Sequence, residues 1–150
     1  MTTRRETLQQ SAAVAALLAA AGLFPQVAHA SPAFDAKSIG DALKALGAGA
    51  APAESKDVVL TAPDIAENGA VVPMGVSTTL PNIKQLLVLV EKNPAPLVAR
   101  FEVSDGVEAN FLTRAKMGQS SDVYAVALTN DNKALFSKKE VKVTLGGCGG

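Results

Sequence analysis

The sequence predicts a mainly β protein: an immunoglobulin-like antiparallel β-sandwich with a short N-terminal helix and a flexible C-terminal arm. Three observations predict this class. Seven short segments of β character follow one another at roughly ten-residue spacing, residues with turn chemistry separate them, and glycines dominate the last five positions. The chain has no tryptophan and only one cysteine, so it lacks the hallmarks of a true antibody domain.

Residues 1–30 have the form of a signal peptide. A charged start is followed by an apolar run over 12–24, and the small residues Ala28 and Ala30 form an A-x-A exit. The run is shorter than the ~20 residues that a membrane-spanning helix needs, and it lacks the polar stripe of a buried amphipathic helix. We therefore expect cleavage after Ala30, a mature chain that begins at Ser31, and no membrane anchor.

The paired arginines Arg4 and Arg5 indicate the route of export. They resemble the start of a twin-arginine leader, although Thr7 stands where such leaders usually have a bulky apolar residue. This route exports folded proteins, and a periplasmic location is the consequence.

Charge and residue inventory exclude several functions. The whole chain has 14 basic and 14 acidic residues, and removal of the leader leaves 12 and 13. A neutral chain without a clustered basic surface is not expected to bind nucleic acid or an anionic membrane. The only histidine, His29, lies in the leader. We therefore expect no histidine-based acid–base chemistry, no metal site, no cofactor and no enzyme activity of the chain's own.

Residues 31–55 are expected to form a short helix over 35–47 and a linker over 49–54. Gly47 is a suitable C-cap for this helix. Helical spacing places three apolar residues on one face: Ile39, Leu43 and Leu46.

Residues 56–145 are expected to form the sandwich. The candidate strands are 58–61, 71–78, 83–90, 97–104, 111–117, 123–129 and 134–145. The run 86–90 is continuously apolar, as expected of a central strand covered on both faces. Alternation in the fourth strand predicts one apolar face: Leu97, Ala99, Phe101 and Val103. The last strand has its own apolar face: Val141, Val143 and Leu145.

The final five residues, 146–150, hold the only reactive group that stands out. Cys148 is the single cysteine of the chain, and glycines surround it: Gly146, Gly147, Gly149 and Gly150. A segment without side chains cannot hold a cysteine in a core, so we expect a flexible tether that reaches about 10 Å beyond Leu145. An unpaired cysteine in an exported protein indicates intermolecular pairing or a free reactive thiol. Nothing local activates this thiol, so activation has to come from an enzyme that the arm enters.

Several motifs resemble those of the SoxY family, the substrate carriers of the bacterial thiosulfate-oxidising Sox system. They are the Gly-Gly-Cys-Gly-Gly terminus, the preceding stretch 139–145, the segment 62–73 and Glu91-Lys92-Asn93-Pro94. The resemblance implies an immunoglobulin-like fold and a heterodimer with SoxZ. It also implies transient docking to three enzymes: SoxAX, which joins thiosulfate oxidatively to the arm cysteine, SoxB, which releases sulfate, and, where present, SoxCD.

The resemblance transfers only Cys148 as a functional residue, the site of covalent sulfur attachment. The segment Glu67-Asn68-Gly69 recurs in the family, either as a hairpin turn or as a docking element. Met117, at the end of an apolar strand, is expected in the core.

Two other functions fit parts of the sequence. An exported structural or interaction module could use Cys148 for an interchain disulfide, but flanking glycines weaken such a constraint. A ubiquitin-like thiocarboxylate carrier also ends in Gly-Gly, but it needs ATP, which export excludes. The atom that carries sulfur, the Gly150 carboxylate or the Cys148 thiol, separates this last function from a SoxY-type carrier.

Overall fold

The computed structural model describes residues 3–20 and 31–144. The chain divides into two compact units, Met1–Ala30 and Ser31–Gly150. The division falls after Ala30, where the sequence predicts cleavage. Cleavage itself stays a prediction, and the exit residues Ala28 and Ala30 lie outside the described residues.

The described part of the first unit is one helix, α1 (Arg4–Ala20). Thr3 and Glu6 cap its start reciprocally: the Thr3 amide donates to the Glu6 carboxylate (2.7 Å) and the Glu6 amide donates to the Thr3 hydroxyl (3.4 Å). The side chains of Arg4 and Arg5 are exposed in the first turn. Among the described residues, no helix is both long enough and apolar enough to cross a bilayer.

The predicted helix over 35–47 is wrong in its bounds, because two helices occupy this region. They are α2 (Pro32–Asp35) and α3 (Ile39–Ala45). Ala36 is extended, and the Ser38 hydroxyl accepts from the Asp41 amide (3.1 Å), so a new helix starts after Ser38. The predicted cap at Gly47 is confirmed. Its φ is +88°, and the Gly47 and Ala48 amides donate to the Lys44 and Leu43 carbonyls in a Schellman motif.

Within the described range 31–144, nine strands follow the helices, and seven of them correspond to the predicted segments. The seven are β2 (Val58–Thr61), β4 (Val72–Thr78), β5 (Ile83–Val90), β6 (Leu97–Glu102), β7 (Asn110–Ala115), β8 (Ser121–Thr129) and β9 (Ala134–Val143). The other two are short: β1 (Ala53–Glu54) and β3 (Ile65–Ala66). The prediction of a plain linker over 49–54 is therefore wrong at its end, since β1 pairs in parallel with Leu135 and Phe136 of β9.

The strands form two sheets that face each other. One has the order β1-β9-β8-β5-β6, with β3 also on β9, and the other has the order β2-β4-β7. All pairings are antiparallel except those of β1 and β3 with β9. The larger sheet carries α2 and α3 on its outer face, where Ala33, Ala42 and Leu43 pack against Leu87, Leu89 and Val126. The predicted mainly β, immunoglobulin-like sandwich is confirmed.

The prediction that 86–90 is a central strand covered on both faces is also confirmed. Strand β5 pairs with β6 on one side and β8 on the other, and all five residues are fully buried. Leu86, Val88 and Val90 face the core between the sheets, whereas Leu87 and Leu89 face the helices.

A β-bulge in β6 overturns the predicted common face of Leu97 and Ala99. Val88 pairs with Ala99 and Leu89 with Leu97, so Val98 is an extra residue in the ladder. Leu97 therefore turns to the helix side, while Ala99 and Phe101 pack against the core between the sheets.

Candidate functional site at the arm end of the sandwich

Cys148 and the four glycines Gly146, Gly147, Gly149 and Gly150 lie outside the described residues. The part of the site that the structure describes is the C-terminal end of β9, which precedes the predicted arm. Val143 is the last residue of the strand and Thr144 the last described residue. Val141 and Val143 face the core while Lys142 and Thr144 are exposed, as predicted for this strand.

Three connections lie at the end of the sandwich where β9 ends, which we call the arm end: 67–71, 91–96 and 116–120. The strand pairing brings them together. The last part of β9 lies beside the start of β8, with Val141 opposite Ser121, and the end of β5 lies beside the same part of β8, with Val90 opposite Val123. These three connections therefore surround the C-terminal end of β9.

Two hydrogen bonds hold the end of β9, one on each edge of the strand. The Thr144 amide donates to the Ala66 carbonyl (3.1 Å), which continues the parallel pairing with β3. The Val143 amide donates to the Ser120 hydroxyl (2.9 Å) on the opposite edge. The strand end is thus held as far as Thr144, the last described residue.

Gly69 and Met117 pack beside this strand end. The Met117 amide donates to the Gly69 carbonyl (2.6 Å). A Cβ on Gly69 would overlap the Met117 carbonyl oxygen and would lie 2.9 Å from Cγ1 of Val143. Glycine is therefore required at this position because neighbouring atoms lie too close for a Cβ, and not because of its backbone conformation. We call Ala66, Gly69, Met117 and Ser120 the anchor cluster.

Lys139 of β9 holds the segment that leads into β3. Its ammonium donates to the Ala62 carbonyl (2.8 Å) and pairs with the Asp64 carboxylate (2.8 Å). The hydrogen bond and charge of Lys139 hold the pKa of Asp64 below its ordinary value. Asp64 also contacts β9 further along the strand, where the Lys142 amide donates to the Asp64 carbonyl (3.0 Å).

The motif Glu91-Lys92-Asn93-Pro94 joins the remaining connections of the arm end. The Asn93 side-chain amide donates to the Lys116 carbonyl (2.8 Å), and the Lys92 amide donates to the Ser121 hydroxyl (3.0 Å). The Glu91 amide donates to the Asp122 carbonyl (3.0 Å). This motif therefore has a structural role, which is to fix connection 91–96 against 116–120 and the start of β8.

Near the start of β8, the groups with shifted pKa values lie at or near the protein surface. The Asp122 carboxylate accepts a hydrogen bond from Lys138, which raises the pKa of Lys138. Partial burial, and then the charge of Glu91, raises the pKa of the neighbouring Tyr124. Within residues 3–20 and 31–144, no three histidine, cysteine, aspartate or glutamate side chains come together as metal ligands.

One residue and one segment singled out in the sequence have a clear position. Met117 is 2 % exposed in the core between the sheets, as predicted. Glu67-Asn68-Gly69 is a turn, in which the Asn68 side chain accepts from the Ala70 amide (3.0 Å), but it is not a hairpin. The strands that it joins, β3 and β4, belong to different sheets.

Sequence reasoning missed Ser120 and Lys139 as contacts of the arm end. Their partners lie 23 and 77 residues away along the chain. A serine in a polar connection and a lysine in an alternating strand have no local signal that distinguishes them from other exposed residues.

Comparison with known proteins identifies the family. The family model described as sulfur oxidation protein SoxY matches residues 43–148, more than two thirds of the chain, and the match extends to Cys148. The chain belongs to the SoxY family. It is therefore a carrier protein of sulfur oxidation.

A solved structure supports the same assignment. The sulfur carrier protein SoxY from Chlorobium limicola f thiosulfatophilum is 30% identical, with a TM-score of 0.65, and the match covers 72% of this chain and 97% of that one. A superoxide reductase (neelaredoxin) from Ignicoccus hospitalis matches at 19% identity and a TM-score of 0.51, over 58% of this chain and 80% of that one. This second likeness shows the fold alone. No curated protein matches this SoxY-family chain.

Proposed function

We propose that this SoxY-family chain carries sulfur intermediates derived from thiosulfate as covalent adducts of Cys148, and presents them to the enzymes of thiosulfate oxidation. The single observation that supports this most is the family match over residues 43–148, which reaches the only cysteine of the chain. The held end of β9 agrees with it, because a short tether that begins at a fixed point presents its thiol within a limited distance of the sandwich.

Two steps follow from the chemistry of the proposed adduct. In the first, the Cys148 thiol loses its proton, a sulfur–sulfur bond forms to thiosulfate, and two electrons pass to the oxidising enzyme, which is expected to resemble SoxAX. In the second, water attacks the terminal sulfonate, sulfate leaves, and the remaining sulfur stays on the cysteine as a persulfide. A hydrolase that resembles SoxB is expected to catalyse this step, and the carrier supplies only the thiol and the arm.

The direct test is the intact mass of the mature protein after incubation with thiosulfate and the loading enzymes, before and after a reductant. A mass increase that the reductant removes, located on the peptide with Cys148, is the expected result. A permanent covalent dimer on a non-reducing gel, with no sulfur-loaded monomer, would instead support a structural disulfide at Cys148. An adduct on the Gly150 carboxylate would support a thiocarboxylate carrier.

We expect the native protein to be periplasmic and to begin at Ser31. N-terminal sequencing of protein from the producing cells checks the start. Replacing both Arg4 and Arg5 by Lys keeps the charge of the leader. This change should trap the precursor in the cytoplasm, because a twin-arginine route recognises the pair of guanidinium groups. A mature protein that retains Arg4 and Arg5 would contradict the prediction.

The partner is expected to be a SoxZ-like subunit, and the three-stranded sheet offers an apolar face for it. Val59 and Leu112 of this sheet are exposed, as is Val71 just before β4, and Leu112 is 80% exposed. Beside Leu112 lies a shallow hollow of about 430 Å³ that Pro73 and Gly75 also line. The outer face of the larger sheet, by contrast, carries α2 and α3.

Leu112→Asp should therefore weaken the heterodimer by about 30-fold or more, since it buries a charge at the centre of the proposed contact. Native mass measurement over a dilution series checks this. Val107→Asp is the matched control, because Val107 is also an exposed branched apolar residue but lies in the connection between β6 and β7 and not in a strand of the three-stranded sheet. Equal dissociation constants for the two variants would show that the partner binds another surface of the sandwich.

A further inference from the structure

We propose that the anchor cluster sets the point and direction from which the arm leaves the sandwich, and that Ser120 is a positioning residue for delivery of Cys148. This inference rests on the proposed function, since it concerns how the carried sulfur reaches the receiving enzymes.

At the edge that faces β8, the last residue of β9 is hydrogen-bonded by a side chain. The backbone ladder between β8 and β9 ends with Ser121 opposite Val141. The Val143 amide points to the same edge beyond that last pair, and it donates to the Ser120 hydroxyl (2.9 Å) instead of to a backbone carbonyl. One hydroxyl group thus extends the pairing by two residues, from Val141 to Val143, the last residue of β9.

At the opposite edge of β9, the segment from Asp64 to Gly69 supplies the hydrogen-bond acceptors. The carbonyls of Asp64 and Ala66 accept from the Lys142 and Thr144 amides (3.0 and 3.1 Å). The Gly69 carbonyl in turn accepts from Met117, which lies in the connection that carries Ser120. The two sides of the anchor cluster are therefore joined to each other as well as to β9.

Release of the strand end would change the arm in two ways. Each residue that leaves the sheet lengthens the tether by up to about 3.3–3.6 Å, so that freeing 142–144 would add roughly 10 Å. Each freed residue must also be ordered again when the arm enters an enzyme, which opposes docking. An anchored strand end therefore keeps the predicted arm short and makes it start from one fixed place on the sandwich.

Ser120→Ala tests this with a matched control on β9 itself. Ser137→Ala removes the same atom from a serine whose hydroxyl is buried without a hydrogen-bond partner in the part of the chain that the structure describes. Ser120→Ala should speed amide hydrogen exchange at Val143 about fivefold, the ratio expected from loss of one ordinary hydrogen bond. Ser137→Ala should leave that exchange unchanged, and Ser120→Thr, which keeps a hydroxyl, should restore it.

A nitroxide on Cys148 reports the arm directly, because the chain has no second cysteine to label. Its spectrum should show faster motion in Ser120→Ala than in Ser137→Ala. In loading assays, Ser120→Ala should raise KM about fivefold and leave kcat unchanged, since the longer tether affects entry and not the chemistry. The rate at which a small alkylating reagent modifies Cys148 should be the same in all variants.

Equal Val143 exchange and equal label motion in Ser120→Ala and Ser137→Ala would refute the anchoring. Altered label motion with unchanged KM would refute the positioning role, while sulfur carriage would stand. Absence of loading in the unmodified protein would refute the proposed function instead, and the exchange and label measurements, which need no enzyme, would still decide the anchoring.

Discussion

Cys148→Ser is expected to abolish sulfur loading completely. A serine oxygen cannot form the sulfur–sulfur bond that the proposed adduct requires, and no other cysteine is present to replace it. The buried residues of the two core clusters lie between Ala33 and Val141, so the free energy of unfolding should change by no more than about 0.5 kcal/mol. Intact mass after incubation with the loading enzymes measures the first effect, and thermal unfolding measures the second.

Replacing the four glycines of the arm with alanine, while Cys148 is kept, separates the thiol from its tether. Each alanine adds a Cβ and restricts the backbone, so a narrow channel should reject the arm. Enzyme-driven loading should fall sharply, whereas alkylation of Cys148 by a small reagent should keep its rate. Loading of the alanine arm at the original rate would show that the glycines serve another purpose.

Residual loading of Cys148→Ser would contradict sulfur carriage on this cysteine. The most informative location of such an adduct would be the Gly150 carboxylate, because it would indicate thiocarboxylate chemistry. Export and subunit pairing should be unaffected in Cys148→Ser, and they provide the control that the variant is correctly assembled.

Gly69→Ala is expected to have the largest effect on stability. The new Cβ would overlap the Met117 carbonyl oxygen, a backbone atom that cannot move without shifting its connection, and would press on Val143. The hydrogen bond from the Met117 amide to the Gly69 carbonyl would be strained at the same time. We expect a loss of about 3 kcal/mol, which corresponds to a fall in Tm of roughly 10 °C for a domain of this size.

Gly118→Ala is the matched control for this substitution. Gly118 lies one residue from Met117, but a Cβ there meets no atom within 4 Å. Because alanine reduces the freedom of the unfolded chain, this variant should be neutral or stabilised by a few tenths of a kcal/mol. If chemical denaturation gives Gly69→Ala and Gly118→Ala the same stability, the close approach at Gly69 is not required for the fold.

The strands of the sandwich could be predicted because each has its own local pattern. The continuous apolar run of β5 indicated burial on both faces, and the alternation in β9 indicated one buried and one exposed face. Both interpretations are confirmed by burial in the structure. Hydrophobic periodicity is strong evidence when a segment is long enough to repeat it several times.

Short elements could not be predicted in the same way. Strands β1 and β3 have two residues each, too few for a period, and they exist because β9 offers them an edge. The break between α2 and α3 depends on capping by Ser38, and the bulge at Val98 depends on pairing with β5. For the two strands and the bulge, the deciding partner lies on another strand. The break between the helices depends instead on Ser38 and Asp41, a capping pair within the predicted helix whose effect on the helix bounds the apolar spacing did not indicate.

The sequence by itself determined the class of sandwich, the family and the single cysteine within a glycine arm, because these depend on residue identity and on patterns within a few residues. Only the tertiary structure decided how the end of β9 is held. Nothing in the sequence indicated the contacts of Ser120, Lys139 and Gly69, although the last two lie in motifs that resemble the family, and the roles of these residues come from partners at Val143, Asp64 and Met117. Hydrogen bonds and close contacts between distant segments form only when the sheets assemble, so no local pattern can encode which serine or glycine will meet the strand end.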